Sequence, residues 1–259
     1  MVSEGLYVYC VIGTVEARNF GPISIGDRGD SVTTIAYRDL SAVVSSVPMN
    51  KYVVSKETML AHEKVIEAVM RQYTALPVRF YTVAPNAEEI RNLLRTRYPE
   101  FKKLLRELDN KVELGLKALW RDMNQVLHEI AEERPQEKGS TPASEASLDN
   151  SEAEANKKVR LALDKERTNV RQPLLDSLSS LAVDLRLNKI HGDDMIMNAA
   201  FLVDRSRERE FDARVEQLAA TYDDRIEFKY VGPAPPYSFV NIVIKEKITP
   251  SQFDPRERR

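Results

Sequence analysis

Short apolar runs typical of β-strands alternate with longer segments of helical period along most of this chain. Residues 5–12, 31–37 and 41–47 are apolar or β-branched, which predicts three strands. Ser55 is a serine, a residue type that is common at helix N-caps, and the apolar residues after it recur at helical spacing. Interleaved strands and helices bury their apolar surface as small sheets covered by helices, so the pattern predicts an α+β protein.

The pattern falls into two halves that meet near residue 108. In the first half, LPVRFYTV at 76–83 predicts a further strand, and Pro99 interrupts the helical stripe that follows it. The second half begins with VELGLKALW at 112–120, where apolar residues alternate as in a strand. The rest of the second half predicts helices at 121–133, 157–187 and from Ser206, and strands at 195–203, 226–231 and 239–244.

We therefore predict an N-terminal domain over 1–108, a C-terminal domain over 109–245 and a charged tail over 246–259. Each domain is expected to contain a small, mainly antiparallel sheet covered by helices, as a variant of the ferredoxin-like arrangement. Residues 134–156 contain almost no large apolar side chains. Such a segment buries too little surface to offset its ordering entropy, which predicts a flexible insertion in the C-terminal domain.

Charge and cysteine content exclude several classes of protein. Lysine and arginine number 38 against 40 aspartate and glutamate, a net charge of −2, so no bulk attraction to nucleic acid or anionic lipid is expected. Cys10 is the single cysteine, which excludes an intrachain disulfide and a cysteine-based metal cluster. No run approaches about 18 consecutive apolar residues, and the first ten residues lack the basic start of a signal peptide. We expect a cytoplasmic protein that does not enter a membrane.

Three histidines, His62, His128 and His191, are the candidates for acid–base or metal chemistry. His62 begins an HExxH-like pattern, but Ile66 stands where the second histidine is required, so we expect a half-buried histidine on the apolar stripe of its helix. His191 and Asp193 form the most site-like cluster, yet a glycine after a basic residue is also a usual helix C-terminus. We predict no catalytic residue, no metal and no cofactor, and an enzyme centred on His191 and Asp193 stays open as an alternative.

A proline-rich motif lies near the end of the second half. Its prolines each fix φ and remove one amide donor, which suits a stiff connection between strands. We expect the motif to form a structural corner, with the ring of Tyr237 packed on the core of the C-terminal domain and its hydroxyl hydrogen-bonded. The residues of this motif are Gly232, Pro233, Pro235, Pro236 and Tyr237.

Four segments carry a resemblance that covers nearly the whole chain, from Leu6 to about Ile244. They are LPVRFYTV at 76–83, VELGLKALW at 112–120, AAFLVDR at 199–205 and YVGPAPPYSFV at 230–240. In this order they resemble the gas vesicle protein family GvpF/GvpL, and most of all its GvpF members. One departure is Tyr81, where the family commonly carries glycine, so the end of that strand is expected to differ here.

The resemblance implies a minor, non-enzymatic component of gas vesicles, which are gas-filled protein shells inside aquatic prokaryotes. It implies binding to the small and very hydrophobic shell protein GvpA. The same expectation extends to contacts with other minor gas vesicle proteins. The implied role is in nucleation or assembly of the vesicle, or as a minor structural component. The implied location is the cytoplasm, in association with the gas vesicle.

We expect the contact with GvpA on the N-terminal domain, around the strands at 5–12 and 76–83. Both are very apolar, and two helices leave part of one sheet face uncovered, which is typical of an interaction surface. Arg79 interrupts the second strand, either as an edge arginine with a solvated head or as a group that pairs with a carboxylate of a partner. The predicted partner-binding residues are Leu6, Val8, Leu76, Val78, Arg79 and Phe80.

A ferredoxin-like RNA-binding protein is the other alternative. Such a sheet carries aromatic residues for base stacking among basic residues, in a pattern such as K/R-G-F/Y-G/A-F-V-x-F/Y. No stretch of this chain fits that pattern, and its net charge is negative. We therefore expect no binding to nucleic acid.

Overall fold

The structure is a computed structural model, and it describes residues 4–25, 28–49, 55–132, 148–240 and 242. The chain divides into two compact units, Met1–Asp109 with Pro235–Arg259, and Asn110–Ala234. The predicted C-terminal domain therefore ends too late, because residues from Pro235 onward belong to the first unit. The physical reason is a parallel bridge between Ile242 and Val78, which ties this late segment to the first sheet.

The first unit is built around an antiparallel sheet. Its strands have the order β2-β3-β4-β1-β5, and β6 also pairs with β1. The strands are β1 (Glu4–Ile12), β2 (Asn19–Gly21), β3 (Val32–Tyr37), β4 (Leu40–Pro48), β5 (Ala75–Pro77) and β6 (Val83–Ala84), and the helices are α1 (Lys56–Met70), α2 (Ala87–Thr96) and α3 (Tyr98–Glu107). The strands predicted at 5–12, 31–37 and 41–47 and the helix break before Pro99 are confirmed.

Both faces of this sheet are covered. Every side chain from Tyr7 to Ile12 is fully buried, although successive side chains on a strand point to opposite faces. Helix α1 packs Val65, Ile66 and Val69 into one cluster with Tyr7. Helix α2 contacts β3 and β4, and α3 contacts β5, so these two helices cover the other face. The expectation that one face stays partly exposed is wrong, because three helices rather than two cover the sheet.

The segment predicted as one strand over 76–83 is divided into β5 and β6. Strand β1 has a bulge between Val8 and Cys10, and residues 78–82 loop out beside it. The loop is held at both ends, since the amide of Val78 donates to the Tyr9 carbonyl and the amide of Val8 donates to the Thr82 carbonyl, each over 2.9 Å. Tyr81 lies inside the loop with φ +67°, in the left-handed region where glycine is the usual residue.

Ser55 caps α1, as the sequence predicts. The Thr58 amide donates to Ser55 Oγ over 3.2 Å, and the Ser55 amide donates to Thr58 Oγ1 over 3.0 Å. This reciprocal arrangement satisfies two backbone donors at the helix start.

We expect Ser55→Ala to lower the free energy of unfolding by about 1 kcal/mol, because one donor of the first turn loses its partner. Urea unfolding followed by circular dichroism measures the change. Ser55→Asn keeps a capping oxygen and serves as the control. Equal stability of Ser55→Ala and the parent protein would show that the cap contributes nothing.

The second unit contains a separate antiparallel sheet with the order β10-β7-β9-β8. Its elements are β7 (Lys111–Trp120), α4 (Met123–Glu132), α5 (Leu148–Ser179), β8 (Asp184–Leu187), β9 (Met195–Asp204), a 3-10 turn (Arg205–Arg207), α6 (Glu208–Thr221) and β10 (Ile226–Ala234). Both units therefore have the predicted α+β architecture with antiparallel sheets. The core of this unit includes Phe201 and Phe211, whose ring centroids are 5.1 Å apart.

Three predictions for the second half differ from the structure. The long helix predicted over 157–187 begins at Leu148 and ends at Ser179, and 184–187 form β8. Residues 148–156 of the predicted flexible insertion are therefore helical, and 134–147 lie outside the described residues. Of the predicted strand 239–244, Ile242 forms an isolated bridge, while 241 and 243–244 lie outside the described residues, as does the tail 246–259.

Candidate functional site

A cleft of about 430 Å³ lies in the first unit, and we call it the α1 cleft. Helix α1 forms one wall, the chain after β5 forms a second, and the late segment that returns to this unit forms a third. Its lining is mostly apolar, with two charged residues. The lining residues are Met59, His62, Glu63, Pro77, Arg79, Phe80, Tyr237, Val240 and Ile242.

Helical spacing brings the α1 residues to the cleft. Met59, His62 and Glu63 are separated by three and four positions, so they share one face of the helix. The late segment is folded tightly before it reaches the cleft. The amides of Phe239 and Val240 both donate to the Pro236 carbonyl over 3.1 Å, which turns Val240 toward the first unit.

His62 is the most buried polar residue of the α1 cleft, with 2% of its surface exposed. Its ring lies among aromatic rings, 5.7 Å from Tyr9, 5.5 Å from Phe80 and 6.3 Å from Tyr237 between centroids. The sequence predicted a half-buried histidine on an apolar stripe. The structure buries it further, because the late segment adds Tyr237 beside it.

A chain of hydrogen bonds connects His62 to the loop at 78–82 through Tyr7. The Tyr81 amide donates to Tyr7 Oη over 3.0 Å, and Tyr7 Oη lies 3.0 Å from His62 Nδ1. Because the Tyr7 hydroxyl already accepts from the Tyr81 amide, its own proton is available for His62 Nδ1, and this pairing favours the tautomer with the proton on Nε2. In that tautomer Nε2 carries the proton, and the imidazole also has a hydrogen bond with the Val78 backbone.

Burial keeps this imidazole neutral. Desolvation of the charged form lowers the pKa of His62 to about 4, and a hydrogen bond with the Val78 backbone offsets part of that effect. At neutral pH the imidazole of His62 beside the α1 cleft is therefore uncharged.

Tyr237 is a second uncharged polar residue that lines the same cleft. Its ring is packed against the core cluster of the first unit, and its hydroxyl is buried without a partner among the described residues. Burial raises the pKa of Tyr237, and the charges of Glu63 and Glu67 raise it further. The expected packing of this ring on the C-terminal domain is wrong, because Pro235 onward folds into the first unit, and the expected hydrogen bond of its hydroxyl is not formed with any described residue.

The proline-rich motif is divided between the two units. The chain passes from the second unit to the first between Ala234 and Pro235. Gly232 and Pro233 are exposed in the last residues of β10, whereas Pro235 and Pro236 are buried.

The predicted partner-binding residues divide into two groups. Val8, Leu76 and Val78 are fully buried in the sheet and are core residues, so the prediction that they form a surface is wrong. Leu6 is half-buried opposite Ala84 of β6. Arg79 and Phe80 line the α1 cleft, and Arg79 is exposed with no ion pair to any residue that the structure describes.

Sequence reasoning did not assign five lining residues to a site. They are Met59, Glu63, Pro77, Val240 and Ile242. The available signal for the α1 wall was Met59, which lies three positions before His62 on the same helix. Nothing local indicated the residues of the late segment, because their position depends on a long-range bridge to Val78.

The cluster at His191 lies in the second unit, in the loop between β8 and β9. His191, Asp193 and Asp194 are all exposed. Within the described ranges, no group of three or more histidine, cysteine, aspartate or glutamate side chains is arranged to hold a metal ion. Among the same residues, no helix is long and apolar enough to cross a membrane.

Solved structures share this architecture. The crystal structure of the gas vesicle protein GvpF from Anabaena superposes with a TM-score of 0.79 at 24% identity, covering 93% of this chain and 98% of that one. The crystal structure of GvpF from Microcystis aeruginosa gives a TM-score of 0.78, also at 24% identity, covering 92% and 99%. The fold therefore places the chain in a class of α+β proteins with two antiparallel-sheet units.

Sequence comparison identifies the family within this class. The family described as gas vesicle synthesis protein GvpL/GvpF matches residues 5–241, so the chain belongs to the GvpL/GvpF family. Gas vesicle protein F of Haloferax mediterranei is 25% identical over 247 residues, covering 94% of this chain and 96% of the relative. Gas vesicle protein F of Microcystis aeruginosa is 28% identical over 247 residues, covering 93% and 100%. The resemblance predicted from sequence is confirmed.

Proposed function

We propose that this protein is a minor, non-enzymatic gas vesicle component that binds the hydrophobic shell protein GvpA during nucleation or assembly of the vesicle. Membership of the GvpL/GvpF family supports the gas vesicle role. The observation that carries the binding role is the α1 cleft, an open and largely apolar depression in the first unit. We place its action in the cytoplasm, in association with the gas vesicle.

The composition of the cleft suits an apolar protein partner. Phe80 is half-buried inside it, Val240 and Ile242 line it with 8% and 2% of their surfaces exposed, and Met59 at its rim keeps 46% exposed. Burying such surface against an apolar segment contributes roughly 25 cal/mol per Å² before the costs of association. An apolar shell subunit therefore gains more binding free energy in this cleft than on the charged faces of α2 or α3.

The rim of the cleft adds selectivity. Glu63 and Arg79 carry opposite charges on two different walls, and both are exposed. Such charges contribute more to orientation and association rate than to affinity. We therefore assign the affinity to the apolar lining and the orientation of the partner to Glu63 and Arg79.

A matched pair of residues on α1 tests the site. Met59 and Leu60 are neighbours with 46% and 44% of their surface exposed, but only Met59 lines the α1 cleft. We expect Met59→Glu to reduce captured GvpA to about a tenth or less, because a charge buried in an apolar interface is costly. Leu60→Glu places the same charge on the same helix and should retain capture close to that of the parent protein.

The measurement is the amount of GvpA that co-purifies with the tagged full-length protein from a co-expressing strain. Circular dichroism of each variant verifies that the fold is intact. An equal loss of captured GvpA in Met59→Glu and Leu60→Glu would assign the effect to general surface charge and not to the α1 cleft. No capture by the parent protein would overturn the proposed function.

A further inference from the structure

We propose that this protein forms a symmetric dimer in which strand β8 pairs antiparallel with β8 of a second copy of the chain. The surface that carries the proposal is residues 183–187, which we call the β8 edge. Strand β8 is the last strand of the second sheet, β10-β7-β9-β8. It pairs with β9 on one side, and no strand of the described ranges pairs with its other side. The inference does not depend on the binding of GvpA.

The backbone of the β8 edge presents hydrogen-bonding groups away from β9. The Asn188 amide donates to the Asn198 carbonyl over 2.8 Å, and in an antiparallel ladder only every second residue then faces β9. Leu185 and Leu187 therefore direct their amides and carbonyls outward. The Leu185 amide agrees with this assignment, because it donates to the Asp184 carboxylate beside it over 2.8 Å. Such an edge is a template for a further strand.

Apolar side chains at both ends of the β8 edge are open to solvent. Val183 keeps 60% of its surface exposed and Leu187 keeps 53%. Edge strands that stay unpaired are usually protected by charges, prolines or bulges, because an exposed apolar edge attracts other strands. Two exposed aliphatic residues on one short edge are therefore typical of a surface that a partner covers.

The order of residue types makes the β8 edge complementary to itself. Val183, Asp184, Leu185, Arg186 and Leu187 read apolar, acidic, apolar, basic, apolar. In an antiparallel pair centred on Leu185, Asp184 lies opposite Arg186 of the second copy, and Val183 lies opposite Leu187 of the second copy. Two-fold symmetry repeats each pair, which gives two opposite-charge pairs and two apolar pairs. A pair centred on Arg186 would instead place two arginines opposite each other, so charge selects the register.

The charged side chains are able to exchange partners. In the single chain Arg186 Nη2 lies 3.2 Å from Asp184 Oδ2 of the same strand, and these side chains are 58% and 45% exposed. An exposed pair of this kind contributes little stability, so replacing it by pairs between copies costs little. The Leu185 carbonyl of the second copy then takes the place of the Asp184 carboxylate at the Leu185 amide.

Sedimentation velocity of the full-length protein from about 1 to 200 µM brackets the dissociation constant of about 10–100 µM that we expect for so small an interface. Arg186→Glu places carboxylates opposite each other at both symmetry-related positions and should weaken association at least about tenfold. Lys229→Glu is the matched control. Its side chain is 54% exposed on β10, at the opposite edge of the same sheet, so this variant should dimerise like the parent protein.

Two complementary variants test the charge pairing directly. Asp184→Lys makes both charged positions of the β8 edge positive, and Arg186→Glu makes both negative. Each variant alone should associate at least about tenfold more weakly than the parent protein. An equimolar mixture should form heterodimers about as stable as the parent dimer, because every cross-strand charge pair is then of opposite sign. Circular dichroism of each variant verifies the fold.

Cysteine crosslinking tests the register. In the dimer the two Leu185 residues form a hydrogen-bonded pair, whose α-carbons are about 5.5 Å apart and within reach of a disulfide. Leu187→Cys is the control, because its two cysteines lie four residues apart along the paired strands, about 13 Å. We expect Leu185→Cys to form a covalent dimer on mild oxidation and Leu187→Cys to form none, although Leu187 is the more exposed residue. The native Cys10 is buried.

Several results would overturn the inference. One is a parent protein that stays monomeric at the highest concentration, and another is a dimer that Arg186→Glu leaves intact. A mixture of Asp184→Lys and Arg186→Glu that forms no heterodimer also contradicts it, as does a Leu187→Cys crosslink as efficient as that of Leu185→Cys. These measurements contain no GvpA, so the dimer and the proposed function of the α1 cleft stand or fail separately.

Discussion

Tyr7→Ala should lower the free energy of unfolding of the first unit by about 3–5 kcal/mol, the range for truncation of a buried aromatic ring. Tyr7 is fully buried in β1, its ring centroid lies 4.8 Å from that of Tyr9, and it belongs to the cluster that joins the sheet to α1. The measurement is urea unfolding followed by far-ultraviolet circular dichroism. Hydrogen exchange of peptides from β1 and β4 assigns the loss to the first unit.

Tyr7→Phe divides this effect into its two parts. The ring stays, but the Tyr81 amide and His62 Nδ1 both lose the hydroxyl that pairs with them. We expect a loss of about 1–3 kcal/mol, because buried polar groups are then left unsatisfied. A Tyr7→Phe variant as stable as the parent protein would show that this hydrogen-bond chain contributes no stability.

Acidification should destabilise the first unit by up to about 3 kcal/mol through His62 alone. The pKa of His62 is lowered to about 4 in the folded protein from its ordinary value of 6.5. Above pH 6.5 the residue is neutral in both states and the stability is fully present. As the pH falls from 6.5 toward 4, the unfolded chain binds a proton that the folded protein does not, so the stability is lost over that window.

The variant His62→Asn isolates this contribution. It keeps an acceptor near the position of Nδ1 for Tyr7 but does not titrate, so its stability should depend less on pH between 6.5 and 4. Acid also destabilises the protein through carboxylates whose pKa is lowered in the folded state, such as Asp39 beside Lys102. These carboxylates are present in both the parent protein and His62→Asn. The difference between the two urea-stability profiles therefore reports His62, and parallel profiles would contradict the prediction.

Local sequence features predicted most of the elements correctly. The period of two in VELGLKALW predicted β7 although leucine, lysine and alanine favour helix, because burial of alternate side chains outweighs intrinsic propensity. Ser55 and Pro99 marked a helix start and a helix break, because capping and the missing amide of proline act within one turn.

The errors occurred where a distant segment decides the local structure. LPVRFYTV has the composition of one strand, yet it pairs with β1 as two short strands, β5 and β6, and residues 78–82 between them form a loop. The helical stripe that predicted a helix to 187 ends at Ser179, because 184–187 pair with β9 instead. In both places a sheet partner outside the segment supplied hydrogen bonds that local periodicity does not reveal.

The amino-acid sequence by itself determined the α+β class, the family and the order of strands and helices, because periodicity, capping residues and specific motifs are local properties. The tertiary structure alone decided which surfaces stay open. It covered both faces of the first sheet, returned Pro235 onward to the first unit and brought Tyr237 beside His62. These contacts join residues far apart in the chain, and the free energy that selects them is the joint burial of both partners, which neither segment specifies alone.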